Sequence, residues 1–164
     1  MRKSLHLSVL TIGLLTASGA LYADSIKDEI NKCNQYIKSQ NAEQALTVSA
    51  ALLKQNNRLA EAWLCQAKAF NLQSDAVHAE YGFSQALQIQ TAEQDKMVTL
   101  GMLGNAEFQQ DKYQQALEHY QQAYQMALNN NIKNYQRVTL NLIGDALSKL
   151  NRLDEAVVLV SSPL

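Results

Sequence analysis

Four short segments recur along this chain: NAEQAL, SDAVHAE, DKYQQAL and NRLDEAV. Each carries an alanine at the same place, and these alanines (Ala45, Ala79, Ala116 and Ala156) are 34, 37 and 40 residues apart. Recurrence at such an interval marks a chain built from stacked copies of one small unit. The unit is clearest between Ala60 and Gln90. Trp63, Ala67 and Phe70 recur there at four- and three-residue steps, as one face of a helix does, and Ala79, Phe83 and Ala86 repeat the pattern. Large residues alternate with small ones, so two such helices can approach closely and interdigitate. Ser74 lies between them with a hydroxyl suited to capping the second helix.

The other units follow in order. Asp24 to Ser39 is expected to be helical, with Ile26, Ile30, Cys33 and Ile37 on one stripe and Tyr36 beside it. Asn41 and Gln44 have the spacing of a capping box before a helix carrying Ala45, Val48, Leu52 and Leu53, which ends near Gln55 ahead of Asn56-Asn57. A third pair begins near Ala92, with Leu100, Leu103, Gly104 and Phe108. Asp111 then caps, with Gln114 in the reciprocal position, ahead of Ala116, Tyr120, Ala123 and Ala127. After Asn129-Asn130-Asn131, a fourth pair carries Leu140, Ile143, Gly144 and Leu147, turns at Asn151 and ends with Ala156 and the apolar run Val157 to Val160. The four hairpins occupy about 25–56, 59–91, 92–130 and 132–161. Strand punctuation is missing: there are six glycines and one proline, Pro163. The expected class is all-α.

The first 23 residues differ in kind. Arg2 and Lys3 precede a mostly apolar run, and small residues close it before the first acidic residue, Asp24. This is the pattern of a secretory signal, with cleavage expected after Ala20 or Ala23. The run falls short of the roughly 20 apolar residues that span a bilayer, and no cysteine follows closely to carry a lipid. Residues 24–164 then form the mature helical domain, with no integral membrane anchor and a periplasmic destination. That domain keeps 12 basic residues against 15 acidic ones, a net of −3 without any basic cluster, which argues against nucleic acid as a partner.

The hairpins resemble the tetratricopeptide repeat family, whose period is 34 residues. The family's pattern of Trp, Leu, Gly and Tyr on a first helix, then Ala, Phe and Ala on a second, is met best by Trp63, Phe70, Ala79, Phe83 and Ala86, with Ala67 replacing Gly. Leu100, Leu103, Gly104, Ala116, Tyr120 and Ala123 follow it as well, although Glu107 stands where an aromatic is usual. Leu140, Ile143, Gly144, Leu147, Ala156 and Val160 continue it; Cys33, Tyr36, Ala45 and Ser49 are the weakest match, and no copy has the terminal Pro. The resemblance implies a right-handed α-solenoid of about four antiparallel helical hairpins with a concave groove lined by first helices. The residues at the family's inward-facing positions are Asn34, Leu64, Lys68, Asn71, Met102, Asn105, Asn141 and Asp145. Amides suit the backbone of an extended peptide, while Leu64 and Met102 give adaptable apolar contact. The family's clamp for the C-terminal carboxylate of heat-shock chaperones is excluded. Its Lys, Asn, Asn, Lys and Arg positions hold Ile30, Asn34, Cys65, Val98 and Met102, and only Asn34 fits.

Catalytic chemistry finds no purchase. There is no phosphate loop, no dinucleotide-binding turn and no Cys-x-x-Cys, so no catalytic residue, cofactor or metal is expected. His78 and His119 lack a second ligand at metal spacing and are expected at the surface. Cys33 and Cys65 lie on first helices of adjacent hairpins, offset by two positions in the repeat register. That offset favours two packed thiols over a bridge. The apolar end, with Val158 and Val160, is expected to dock a partner or a second copy, because a solenoid otherwise closes with a polar cap. Together these features describe an exported, non-catalytic adaptor that holds a protein or peptide partner. The alternative is a self-associating structural subunit using Val157–Val160.

Overall fold

A computed structural model describes residues 10–152 together with 154 and 155. Within them the chain forms seven α-helices in order: α1 (Leu10–Lys38), α2 (Ala42–Gln55), α3 (Ala60–Leu72), α4 (Ala76–Ile89), α5 (Glu93–Phe108), α6 (Tyr113–Asn129) and α7 (Lys133–Lys149). Each helix packs on its neighbours in sequence, and α1 also packs on α3. This is an all-α solenoid of helical hairpins, as the repeat interval requires. Helix α1 is longer than the expected Asp24–Ser39 segment, because the preceding residues continue it without a break from Leu10. Val158 and Val160 lie outside the described residues.

The repeated alanines mark where helices meet. Ala45, Ala79 and Ala116 have no exposed surface, and neither do Ala67 on α3 and Ala123 further along α6. Gly82 takes this closeness further. A Cβ added there would lie 2.9 Å from the Cβ of Ala67 and 3.3 Å from the Trp63 carbonyl oxygen, so α3 and α4 touch almost backbone to backbone. Around these contacts Phe83, Leu103, Leu117, Tyr120, Ile143 and Leu147 fill the core. Burying each such large side chain stabilises the fold by about 1.5–3 kcal/mol. Trp63 and Phe70 are only half-buried. Trp63 packs edge-on against Tyr81 and donates its indole N–H to the Asn57 carbonyl at 2.9 Å, while Phe70 stacks on His78.

One turn design recurs. Gln40, Ser74, Asp111, Asn131 and Asn151 all have φ between 54° and 60°, the left-handed region. In each case the next residue's N–H reaches back into the helix just ended: Asn41 to Tyr36, Asp75 to Phe70, Lys112 to Glu107, Ile132 to Ala127 and Arg152 to Leu147, at 2.8–3.0 Å. These are Schellman closures, which satisfy carbonyls that the helix end leaves free. They correct two expectations. Ser74 does not cap α4: it occupies the left-handed position, and Asp75 beside it accepts from the His78 N–H. Likewise Asp111 is the left-handed residue, accepting from the Tyr113 hydroxyl, and the cap position of α6 falls on Lys112, which makes no side-chain cap bond. Asn41 caps α2 through Gln44 as expected.

Cys33 and Cys65 form a disulfide, with Cα atoms 6.3 Å apart and both residues buried. The two-position offset that favoured free thiols is what the geometry requires. Positions two apart on a helix are separated by about 200°, nearly opposite faces. When one helix packs beside its own copy, the first presents its leading face and the second its trailing face. A bridge must therefore join different register positions. The cross-link closes a 32-residue separation and ties α1 to α3. Loop-closure entropy values such a link at about 3–4 kcal/mol. Replacing both cysteines by alanine should lower the urea-unfolding free energy by about 2–4 kcal/mol. The same loss should follow reduction of the unaltered protein, and denaturation with and without reductant checks it.

Candidate functional site

The first helices α3, α5 and α7 present their exposed faces side by side. Between them lies a recess of about 180 Å³ lined by Asn71 of α3, Asn105, Phe108 and Gln109 around the end of α5, Leu142 and Asp145 of α7, and Tyr120 of α6. Three of the expected groove residues, Asn71, Asn105 and Asp145, meet here. Asn34 and Lys68 meet in a second hollow with Asn31, Gln35, Ile37 and Lys38. Leu64 lines a third with Arg58, Glu61 and Asp95. Leu64 and Met102 also pack against the cluster around Phe83 and Leu103, so both are half-buried. Asn141 is exposed on α7 outside these three hollows.

Hydrogen bonds orient the amides of the first recess. The Tyr120 hydroxyl donates to Asn105 Oδ1 at 2.8 Å, and Gln109 Nε2 donates to Asn71 Oδ1 at 3.3 Å. Each asparagine oxygen thereby accepts one bond, and their NH₂ groups are left to donate. Burial, with the nearby Glu107 and Asp145 charges, pushes the Tyr120 pKa well above its ordinary value, so the phenol stays a donor at any physiological pH. Burial also lowers the pKa of Lys68. Phe108, Gln109 and Leu142 were not expected at the site, though each is a helical neighbour, three or four residues from Asn105 or Asp145. Tyr120 was expected as core and serves both roles: its ring fills the core against Gly104, and its hydroxyl reaches the recess.

A second polar group lies where α4, α5 and α6 converge. Glu107, in the place of the family's aromatic, is buried, and its carboxylate pairs with His119 Nδ1 at 2.7 Å. The expectation of a surface His119 is thus corrected, because a buried carboxylate holds its side chain to one-quarter exposure. His78 does lie at the surface, with Nδ1 2.7 Å from Asp75. Beside Glu107, Lys112 pairs with Glu80 at 2.6 Å, and Gln110 Nε2 donates to Glu80 and to the Ala76 and Ala106 carbonyls. These bonds stitch the second hairpin to the third. Among the described residues no group of His, Cys, Asp and Glu is placed to hold a metal ion. None of the described helices is long and apolar enough to cross a membrane.

The fold and its exposed first-helix face define a helical-repeat scaffold of the kind that presents a surface to other molecules. Residues 95–160 match the family described as tetratricopeptide repeat, which covers α5, α6 and α7. This part of the chain is built of tetratricopeptide repeats, and such repeats generally mediate protein–protein interaction. No curated protein matches it.

The Glu107–His119 pair makes stability depend on pH. The hydrogen bond to Glu107 raises the His119 pKa, burial opposes it, and the Glu107, Glu118 and Glu80 charges add to the rise. A group whose folded pKa lies above its unfolded value of about 6.5 stabilises fully below that value. The contribution is lost as pH climbs through the folded pKa. Unfolding free energy should therefore fall between pH 6 and pH 8 more steeply in the unaltered protein than in His119→Gln. Urea titrations at the two pH values check this, and equal slopes would remove the pair from the account.

Proposed function

We propose that this protein is a non-catalytic adaptor of the bacterial cell envelope that holds an extended peptide segment of a protein partner along its first-helix groove. The observation that carries the reading is the recess between α3, α5 and α7. Two asparagine side chains there accept bonds from Tyr120 and Gln109 through their oxygens, which leaves their NH₂ groups as donors for a ligand. Extended peptides offer backbone carbonyls at regular intervals, and donors already held in place lose little entropy on meeting them. At about 180 Å³ the recess is smaller than the ~300–1,000 Å³ of pockets that enclose small molecules, which suits a side chain of a longer ligand.

The envelope destination draws on two independent features. The leader has the organisation of a secretory signal. The Cys33–Cys65 disulfide belongs to a kind of cross-link that forms and persists in oxidising compartments such as the periplasm.

Panning the purified protein against a random-peptide phage library tests the groove. Peptides that bind should lose about two- to tenfold in affinity on Asn105→Ala or Asn71→Ala, the worth of one hydrogen bond. Thermal melting confirms that each variant stays folded. Binders indifferent to both changes would place the contact surface elsewhere. For export, expression in a Gram-negative host should yield periplasmic protein whose N-terminus is Leu21 or Asp24; intact chain retained in the cytoplasm would refute it.

A further inference from the structure

The recess between α3, α5 and α7 has a chemical asymmetry that narrows what it can hold. Of its seven lining residues only Asp145 carries a charge, and no Lys or Arg lines it. Among the described residues Asp145 makes no ion pair, whereas Glu80, Glu107 and Glu155 each have a cationic or histidine partner. The remaining walls are the side chains of Phe108 and Leu142 and the hydroxyl end of Tyr120, interleaved with amides. The acceptor inventory is equally lopsided. The Asn71 and Asn105 oxygens each already accept one bond, and the strongest acceptor left without a partner is the Asp145 carboxylate.

We propose that this recess is a specificity pocket for a basic side chain, Arg or Lys, of the bound peptide. The cation meets the Asp145 carboxylate while its aliphatic stem lies against Leu142 and Phe108. A carboxylate beside an aromatic ring suits this ligand twice over. It supplies a charge-assisted hydrogen bond, and the half-buried Phe108 ring attracts a cation approaching within about 6 Å. The NH₂ groups of Asn71 and Asn105 then bond flanking backbone carbonyls and set the peptide's register. An acidic side chain is repelled by Asp145, and an apolar one leaves that carboxylate desolvated without a partner, so both are discriminated against. This inference rests on the groove reading above and adds a residue preference to it.

The test uses peptides selected from the random library on the full chain, each resynthesised with its basic residues replaced singly by citrulline or norleucine. One basic position should be required, and losing its charge should weaken binding about tenfold, the scale of a charged hydrogen bond. Asp145→Asn should cause a similar loss, erased when the peptide already carries citrulline. Asp145→Lys should shift selection toward an acidic residue at that position. Asp145 is exposed, so these variants should melt with the unaltered protein. Peptides that depend on Asn105 but show no basic requirement, or ignore Asp145→Asn, would overturn the specificity pocket and leave the groove reading intact. A library yielding no binder, or only binders indifferent to Asn105→Ala, would overturn both.

Discussion

Close approach of helices at small residues is the contact on which this structure depends. Ala67 against Gly82 brings α3 and α4 together, and Gly104 admits the Tyr120 ring between α5 and α6. Interiors are close-packed, so a larger residue at such a point forces backbone to move. Small residues recur in each hairpin, and the hairpins stack in sequence as a solenoid. The exposed faces of α3, α5 and α7 are left in a row by that stacking. The groove follows from the packing, not from residues chosen to form a cavity.

The turns obey a second constraint. Five helix ends place a non-glycine residue in the left-handed region, which costs roughly 1–2 kcal/mol per residue for most side chains. Four of the five are Ser, Asp or Asn, and Asp and Asn tolerate this conformation best. The same residue types also make good N-caps, so composition alone assigns both roles to one position. Ser74-Asp75 illustrates the ambiguity. Only the backbone shows that the first residue closes one helix and the second opens the next.

Charged groups enter the interior where α4, α5 and α6 converge, and Glu107 and Glu80 are each answered by neighbours. Glu107 faces His119, and Glu80 faces Lys112 and Gln110. A buried carboxylate without such partners would cost several kcal/mol. The disulfide plays a related part at the other end of the array, joining α1 to α3 where the first hairpin matches the repeat pattern least well. The array is thus held by apolar contacts throughout, by polar stitching between α4, α5 and α6, and by a covalent bond between α1 and α3.

The sequence by itself determined the periodic part of this protein. Helix type, hairpin order, buried alanines and the aromatic at Phe83 all follow from spacing, because a residue's place on a helix depends only on its neighbours a few positions away. Three of the eight expected groove residues fall into one recess for the same reason, since equivalent positions face the same way in every copy. Tertiary structure decided what depends on two distant segments meeting. The Cys33–Cys65 bridge needed the leading face of one helix set against the trailing face of another. The burial of His119 needed Glu107 from a different helix, and Tyr120 became part of the recess only because its hydroxyl passes between α5 and α7 to reach Asn105. Local periodicity encodes faces; which faces meet, and what is trapped between them, is settled by packing.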